Sequence, residues 1–161
     1  MKDLEPLDDI ITLTLYTAYV KNTPKPNSLL IIAQPESGKT EMMKKFIANK
    51  NVLYLTDLTA FGLERDYFPK IEAGEIRHIV IPDLLKPLSR KESTVKTFIT
   101  SMNALIEEGT ASVSTYATRR TSEKHVKCGL ITAITGKELR DQRHNWGRIG
   151  FLSRIVPFSY S

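Results

Sequence analysis

The chain has 161 residues, 41% of them apolar and 25% charged, which suits one globular domain with a sizeable core and excludes a disordered or collagen-like chain. A net charge of +5 and a pI near 9.3 favour contact with polyanions without establishing it. The lone cysteine, Cys128, excludes a disulfide framework and a cysteine-rich metal site, and beside Gly129-Leu130-Ile131 it reads as a buried structural thiol. No apolar run reaches the length of a membrane span, and the acidic start (Asp3, Glu5, Asp8, Asp9) is unlike a signal peptide, so the expected location is cytoplasmic, with no membrane partner.

In chain order, Pro6 to Val20 carries Leu7, Ile10, Ile11, Leu13, Leu15, Tyr16 and Tyr19, the apolar face of a helix that the turn-rich 22–27 segment ends. Ser28 to Ile32 reads as the first core strand and Glu41 to Ile47 as a helix. Val52 to Leu55 is a second strand, Ala60 to Glu72 a helix interrupted or bent near Pro69, and His78 to Ile81 a third strand. Glu92 to Glu108 places Val95, Phe98, Ile99, Met102, Leu105 and Ile106 on one helical face, with Gly109 as its terminator. Val126 to Ala133 returns as a strand, Leu139 to Trp146 as a helix, and Ile155 to Tyr160 as a last strand. Strands alternating with helices predict an α/β fold of three layers around a mainly parallel sheet of about five strands.

Between the first strand and its helix stands Ala33-Gln34-Pro35-Glu36-Ser37-Gly38-Lys39-Thr40, a phosphate-binding loop with alanine at its first glycine position. Such a loop joins a strand end to a helix start, where free backbone N–H groups converge on an anion. Gly38 permits close backbone approach, Lys39 reaches the β/γ-phosphates, and the Thr40 hydroxyl is a Mg²⁺ ligand. The pattern predicts binding of a nucleoside triphosphate, ATP, with Mg²⁺. A second element is expected at the end of a neighbouring strand, where a carboxylate holds Mg²⁺ through water. Ile79-Val80-Ile81-Pro82-Asp83 has that form, so Asp83 is the metal-site candidate, against the alternative of a turn-capping aspartate. Leu84 and Leu85 follow where many such ATPases place a glutamate, so either Glu64 or Asp57 supplies the base or hydrolysis is slow.

Taken with Gly129-Leu130-Ile131-Thr132-Ala133-Ile134-Thr135 and Gly150-Phe151-Leu152-Ser153-Arg154, these elements resemble the AAA+ ATPases over most of residues 28–160. The resemblance implies a P-loop NTPase core over 28–161, preceded by an N-terminal helix and linker over 1–27 and lacking the helical lid that usually follows. It implies that Thr135, or alternatively Thr132, senses the γ-phosphate. It also implies that Arg154 is an arginine finger entering a neighbouring subunit's site in a homo-oligomer, the alternative being an intramolecular ion pair. Some branches of the family insert a hairpin before the sensor strand. Ser112–Thr118 and His125–Leu130 fit its arms, and Arg119, Arg120 and Lys124 at its tip are candidate contacts to a DNA backbone or a solvated basic turn.

From Arg119 to Arg154 there are nine Lys/Arg against three acids, so the whole net charge resides in this segment. Trp146 and Tyr116 are either core aromatics or stacking surfaces. The leading expectation is an ATPase core acting on DNA or a nucleoprotein assembly. A low-turnover ATP-binding switch, suggested by Leu84, and a small-molecule P-loop kinase with Arg140, Arg143 and Arg148 as its lid are the alternatives.

Overall fold

A computed structural model describes residues 3–22, 25–108 and 126–160. Five strands, β1 (Leu29–Ile32), β2 (Val52–Tyr54), β3 (His78–Ile81), β4 (Gly129–Ile134) and β5 (Val156–Ser159), form one sheet in the order β2-β3-β4-β1-β5. Every pairing is parallel, with Leu29 opposite Ile131 and Val156, and His78 opposite Gly129. Parallel strands need long crossovers, and those crossovers cover both faces of the sheet. The central strands are therefore apolar without interruption: β1 reads Leu-Leu-Ile-Ile, and β3 and β4 are buried throughout.

One face of the sheet packs against α1 (Glu5–Tyr16) and α2 (Lys39–Lys44). Leu7, Ile11 and Leu15 of α1 and Met42 and Met43 of α2 meet Leu29, Ile31, Val80, Ile131 and Ala133. The N-terminal helix thus shares one of the three layers with α2. The other face carries α3 (Ala60–Gly62), α4 (Phe68–Glu72), α5 (Leu85–Leu88), α6 (Glu92–Glu108) and α7 (Gly136–Ile149). There Phe68, Phe98, Met102, Leu105 and Trp146 enclose Leu30, Ile79, Ile81, Leu130 and Ile134. Trp146 meets Phe151 edge-to-face at 5.2 Å, so its ring belongs to the core.

Two elements differ from the sequence expectation. The helix over 60–72 is broken ahead of its proline, by a π-helical turn at Leu63–Tyr67, while Pro69 sits in the first turn of α4, where no N–H is needed. The strand expected from Val126 begins only at Gly129. An added Cβ there would lie 2.6 Å from His78 Nε2 and 2.7 Å from the Asn27 carbonyl oxygen, so only glycine lets β4 enter beside β3. Gly109, Ser112–Thr118, Tyr116, Arg119, Arg120, Lys124 and His125 lie outside the described residues. No helix among the described residues is long and apolar enough to cross a membrane.

The Cys128 thiol is buried, and desolvation pushes it up to about 12. His78 is also buried; because a carbonyl only accepts, its Nε2–H donates to Asn27 O at 3.0 Å. Desolvation outweighs that bond and pushes the imidazole down to about 4. The unfolded chain therefore binds this proton first as pH falls. The contribution of His78 to stability is complete above pH 6.5 and is lost progressively towards pH 4, about 3 kcal/mol in all. Chemical denaturation across this interval is expected to show that loss, and His78→Gln to flatten it.

Candidate functional site at the carboxyl edge of the sheet

The strand order creates a crevice at one place. From β1 the chain runs through α2, on the α1 face, to β2 at one edge; from β4 it runs through α7, on the opposite face, past β1 to β5 at the other edge. Neighbouring β1 and β4 thus send their connections to opposite faces. In open parallel sheets, ligands bind outside the carboxyl ends of strands at such a switch point. Residues 33–38 follow β1, and Thr135 follows β4.

The loop is held on three sides. Ala33 N–H donates to Ile134 O at 3.2 Å, fastening it to the end of β4. Beyond β5, the Tyr160 hydroxyl lies 3.1 Å from Ser37 O and 3.0 Å from Ser37 Oγ. Leu4, preceding α1, packs over Gly38, where an added Cβ would meet its Cδ1 at 3.1 Å. Glu36 and Gly38 have φ of 56° and 85°, the left-handed backbone that turns successive N–H groups to one side of a loop. Lys39 opens α2 but is 8% exposed, because its ammonium folds back to donate to Gln34 O at 3.3 Å. Pro35 is exposed, and the Thr40 side chain is half-buried in the first turn of α2.

Asp83 stands two residues past β3 and is exposed; its Oδ1 accepts the Leu85 N–H at 2.9 Å. β4 separates β3 from β1, a span of about 10 Å across two strand spacings. Leu84 is fully buried in the core, which leaves no side chain for water activation immediately after Asp83. Asp57 is committed elsewhere: Oδ2 pairs with Arg90 and Oδ1 accepts Leu58 N–H, while Arg90 also reaches Leu58 O. Glu64 is 4% exposed within the π-helical turn. Among the described residues, no cluster of three or more His, Cys, Asp or Glu forms a metal cage, so a cation here would need ligand oxygens.

Thr135 lies at the crevice but is occupied. Its Oγ1 accepts Glu138 N–H at 3.2 Å and donates to Glu138 Oε2 at 2.9 Å, while its own N–H donates to the same oxygen at 3.0 Å. These contacts are a complete capping box that starts α7. Thr132 is fully buried, its hydroxyl donating to Ile81 O at 2.7 Å inside the sheet. Arg154 closes the other end of α7: Nη1 donates to Gly150 O at 2.9 Å, and Nε lies 3.4 Å from Glu107 Oε2 without hydrogen-bond alignment. Its guanidinium thus serves the helix C-terminus within the chain. Glu107 also binds Lys25, whose hydrogen bond is the main cause holding its carboxyl below the usual range.

Neither the Tyr160–Ser37 clasp nor the Leu4 cover was anticipated from sequence. The trace that exists for Tyr160 is its two-residue spacing from Phe158, which puts both rings on the α1–α2 face, stacked at 6.2 Å.

Replacing Thr135 by Val is expected to cost about 1 kcal/mol of stability through loss of the cap, and Thr135→Ser to retain most of it, as read by denaturant unfolding.

No protein-family model matches the chain, and no curated protein matches it, so function is argued from the residues and their geometry.

Proposed function

We propose that the 33–40 loop binds ATP with Mg²⁺ and that the chain is a P-loop ATPase core of AAA+ type whose working partner is DNA or a nucleoprotein assembly. One observation carries the nucleotide half. The loop with Gly38 at φ 85° and Lys39 folded over it lies after β1, at the switch point of an all-parallel sheet. The residues fit the ligand. The backbone N–H groups of 36–39 provide donors for phosphate oxygens, and Lys39 exchanges one neutral acceptor, Gln34 O, for charged ones. Thr40 and Asp83 provide a hydroxyl and a carboxylate for the cation, which when bound neutralises charge developing on the phosphates. Ala33, without a Cβ branch, fits beneath Ile134 O where the loop leaves the sheet.

The arrangement gives particular support to a low-turnover form of this ATPase. A water-activating glutamate after Asp83 is replaced by a core leucine, Asp57 is held by Arg90, and Arg154 is bound to its own helix end. An arginine finger reaching another subunit first has to exchange the Gly150 carbonyl for phosphate. Steady-state ATP hydrolysis with and without DNA separates the forms: a DNA-stimulated rate supports a motor, binding without turnover supports a switch, and phosphate transfer to a small acceptor supports a kinase.

Lys39→Ala is expected to abolish ATP·Mg²⁺ binding or nearly so in calorimetric titration, because the phosphates lose the loop's one cation; unchanged affinity removes the proposal. Asp83→Asn is expected to raise the Mg²⁺ concentration needed for tight nucleotide binding while leaving metal-free binding close to wild type.

A further inference from the structure

The acidic groups of α7 are already used within the helix. Glu138 belongs to the capping box, and Asp141 lies 3.7 Å from Lys137. Arg140, Arg143 and Arg148 have no ion pair or hydrogen bond with any described residue, and all three are exposed. With His144 and Gly147 they line one open depression of about 570 Å³. At 3.6 residues per turn these positions share an arc of about 140°, and Arg140 to Arg148 spans about 12 Å of helix. The opposite side of α7 is anchored by buried Trp146. Arg148 also borders a trough of about 740 Å³ between α6 and α7, lined by Arg90 and Lys96 and by a single acid, Glu92.

We propose that this face of α7 is the surface on which the protein holds duplex DNA, by its phosphate backbone. Three guanidiniums along one stripe, without a partner among the described residues, offer forked donors to phosphate oxygens. Gly147 adds no side chain between them, and a Cβ there would meet nothing within 4 Å. Within the depression the stripe offers mainly charge. Trp146 is 1% exposed, which removes the base stacking that single strands use. No large apolar side chain lies in the depression with Arg140, Arg143, His144 and Arg148, and the apolar hollow of about 260 Å³ that Arg140 and Arg143 also border, lined by Leu139, Leu152, Ile155 and Pro157, holds no aromatic ring to anchor a protein interface. With three guanidiniums as its main recognition groups, the stripe favours the partner of highest charge density, a duplex with one phosphate per about 1.7 Å of axis. The proposal deepens the partner half of the function above and is independent of the nucleotide half.

The test is fluorescence anisotropy of the full chain with a labelled duplex, without nucleotide, between about 50 and 200 mM salt. Each phosphate neutralised contributes about −0.9 to the log–log salt slope, so the Arg140→Ala, Arg143→Ala, Arg148→Ala triple variant is expected to flatten it by about 3. The Lys triple variant is expected to keep most of it. The single variants, each lowering the slope by about 1, replace the triple if it unfolds early on heating. A wild-type affinity and slope in the alanine variant overturns the proposal, as does tighter binding of a single strand, a poly-glutamate peptide or anionic vesicles than of duplex. If the Arg119→Ala, Arg120→Ala, Lys124→Ala variant loses binding and the α7 variant does not, DNA remains the partner and the α7 assignment falls. Lys39→Ala is expected to bind duplex as wild type does, so a failed nucleotide site leaves this result unaffected.

Discussion

The placement of β1 in the interior of an all-parallel sheet is the constraint from which the site follows. A strand buried on both faces and paired on both edges has no freedom in register or orientation, and its Leu-Leu-Ile-Ile sequence contributes only to burial. Parallel crossovers are right-handed, so a chain that leaves β1 towards one edge and later passes it towards the other has to use both faces. The opening between those two departures is where residues 33–38 lie. The loop needs a rigid base because left-handed backbone at Glu36, a residue with a Cβ, persists only when its surroundings over-determine it.

Those surroundings come from parts of the chain far apart in sequence. Leu4 covers Gly38, Ile134 O receives Ala33 N–H, and Tyr160 binds Ser37. Strand β5 owes its place beside β1 to α7 crossing the sheet, and α7 is held at its start by Thr135 and Glu138 and at its end by Arg154 and Gly150. At Gly150 the backbone is left-handed, and an added Cβ would lie 2.3 Å from Arg154 Nη1, so the cap and the glycine are one device. The helix that carries the basic stripe therefore begins at the carboxyl edge beside the loop. The proposed nucleotide and DNA sites are thus joined by one capped helix.

Much of the element pattern was legible because it depends on local periodicity. Strand β3 and helix α6 have the boundaries that a short bounded apolar run and a 3.6-residue repeat suggest, and an apolar strand before Gly38-Lys39-Thr40 places the loop at a strand-to-helix joint. The interruption of the 60–72 helix near Pro69 was legible, but its form, a π turn over Leu63–Tyr67, was not, because it goes with Leu63 and Phe68 both reaching the core. The start of β4 depended on His78 and Asn27, distant residues that leave no room for a side chain at position 129.

By itself the sequence determined the secondary-structure period, the apolar stripe of each helix, the Gly38-Lys39-Thr40 run at a strand-to-helix joint and the concentration of positive charge towards the C-terminal side, since each is a property of neighbours along the chain. Only the tertiary structure decided which carboxylates and cations are spent on the fold. Thr135 and Arg154 have the chemistry of a sensor and a finger, yet their donors serve the two ends of α7. Asp57 is neutralised by Arg90, 33 residues away, whereas Arg140, Arg143 and Arg148 meet no carboxylate among the described residues. Charge is counted in sequence, but its pairing depends on distances of a few ångströms between elements that the chain brings together only on folding.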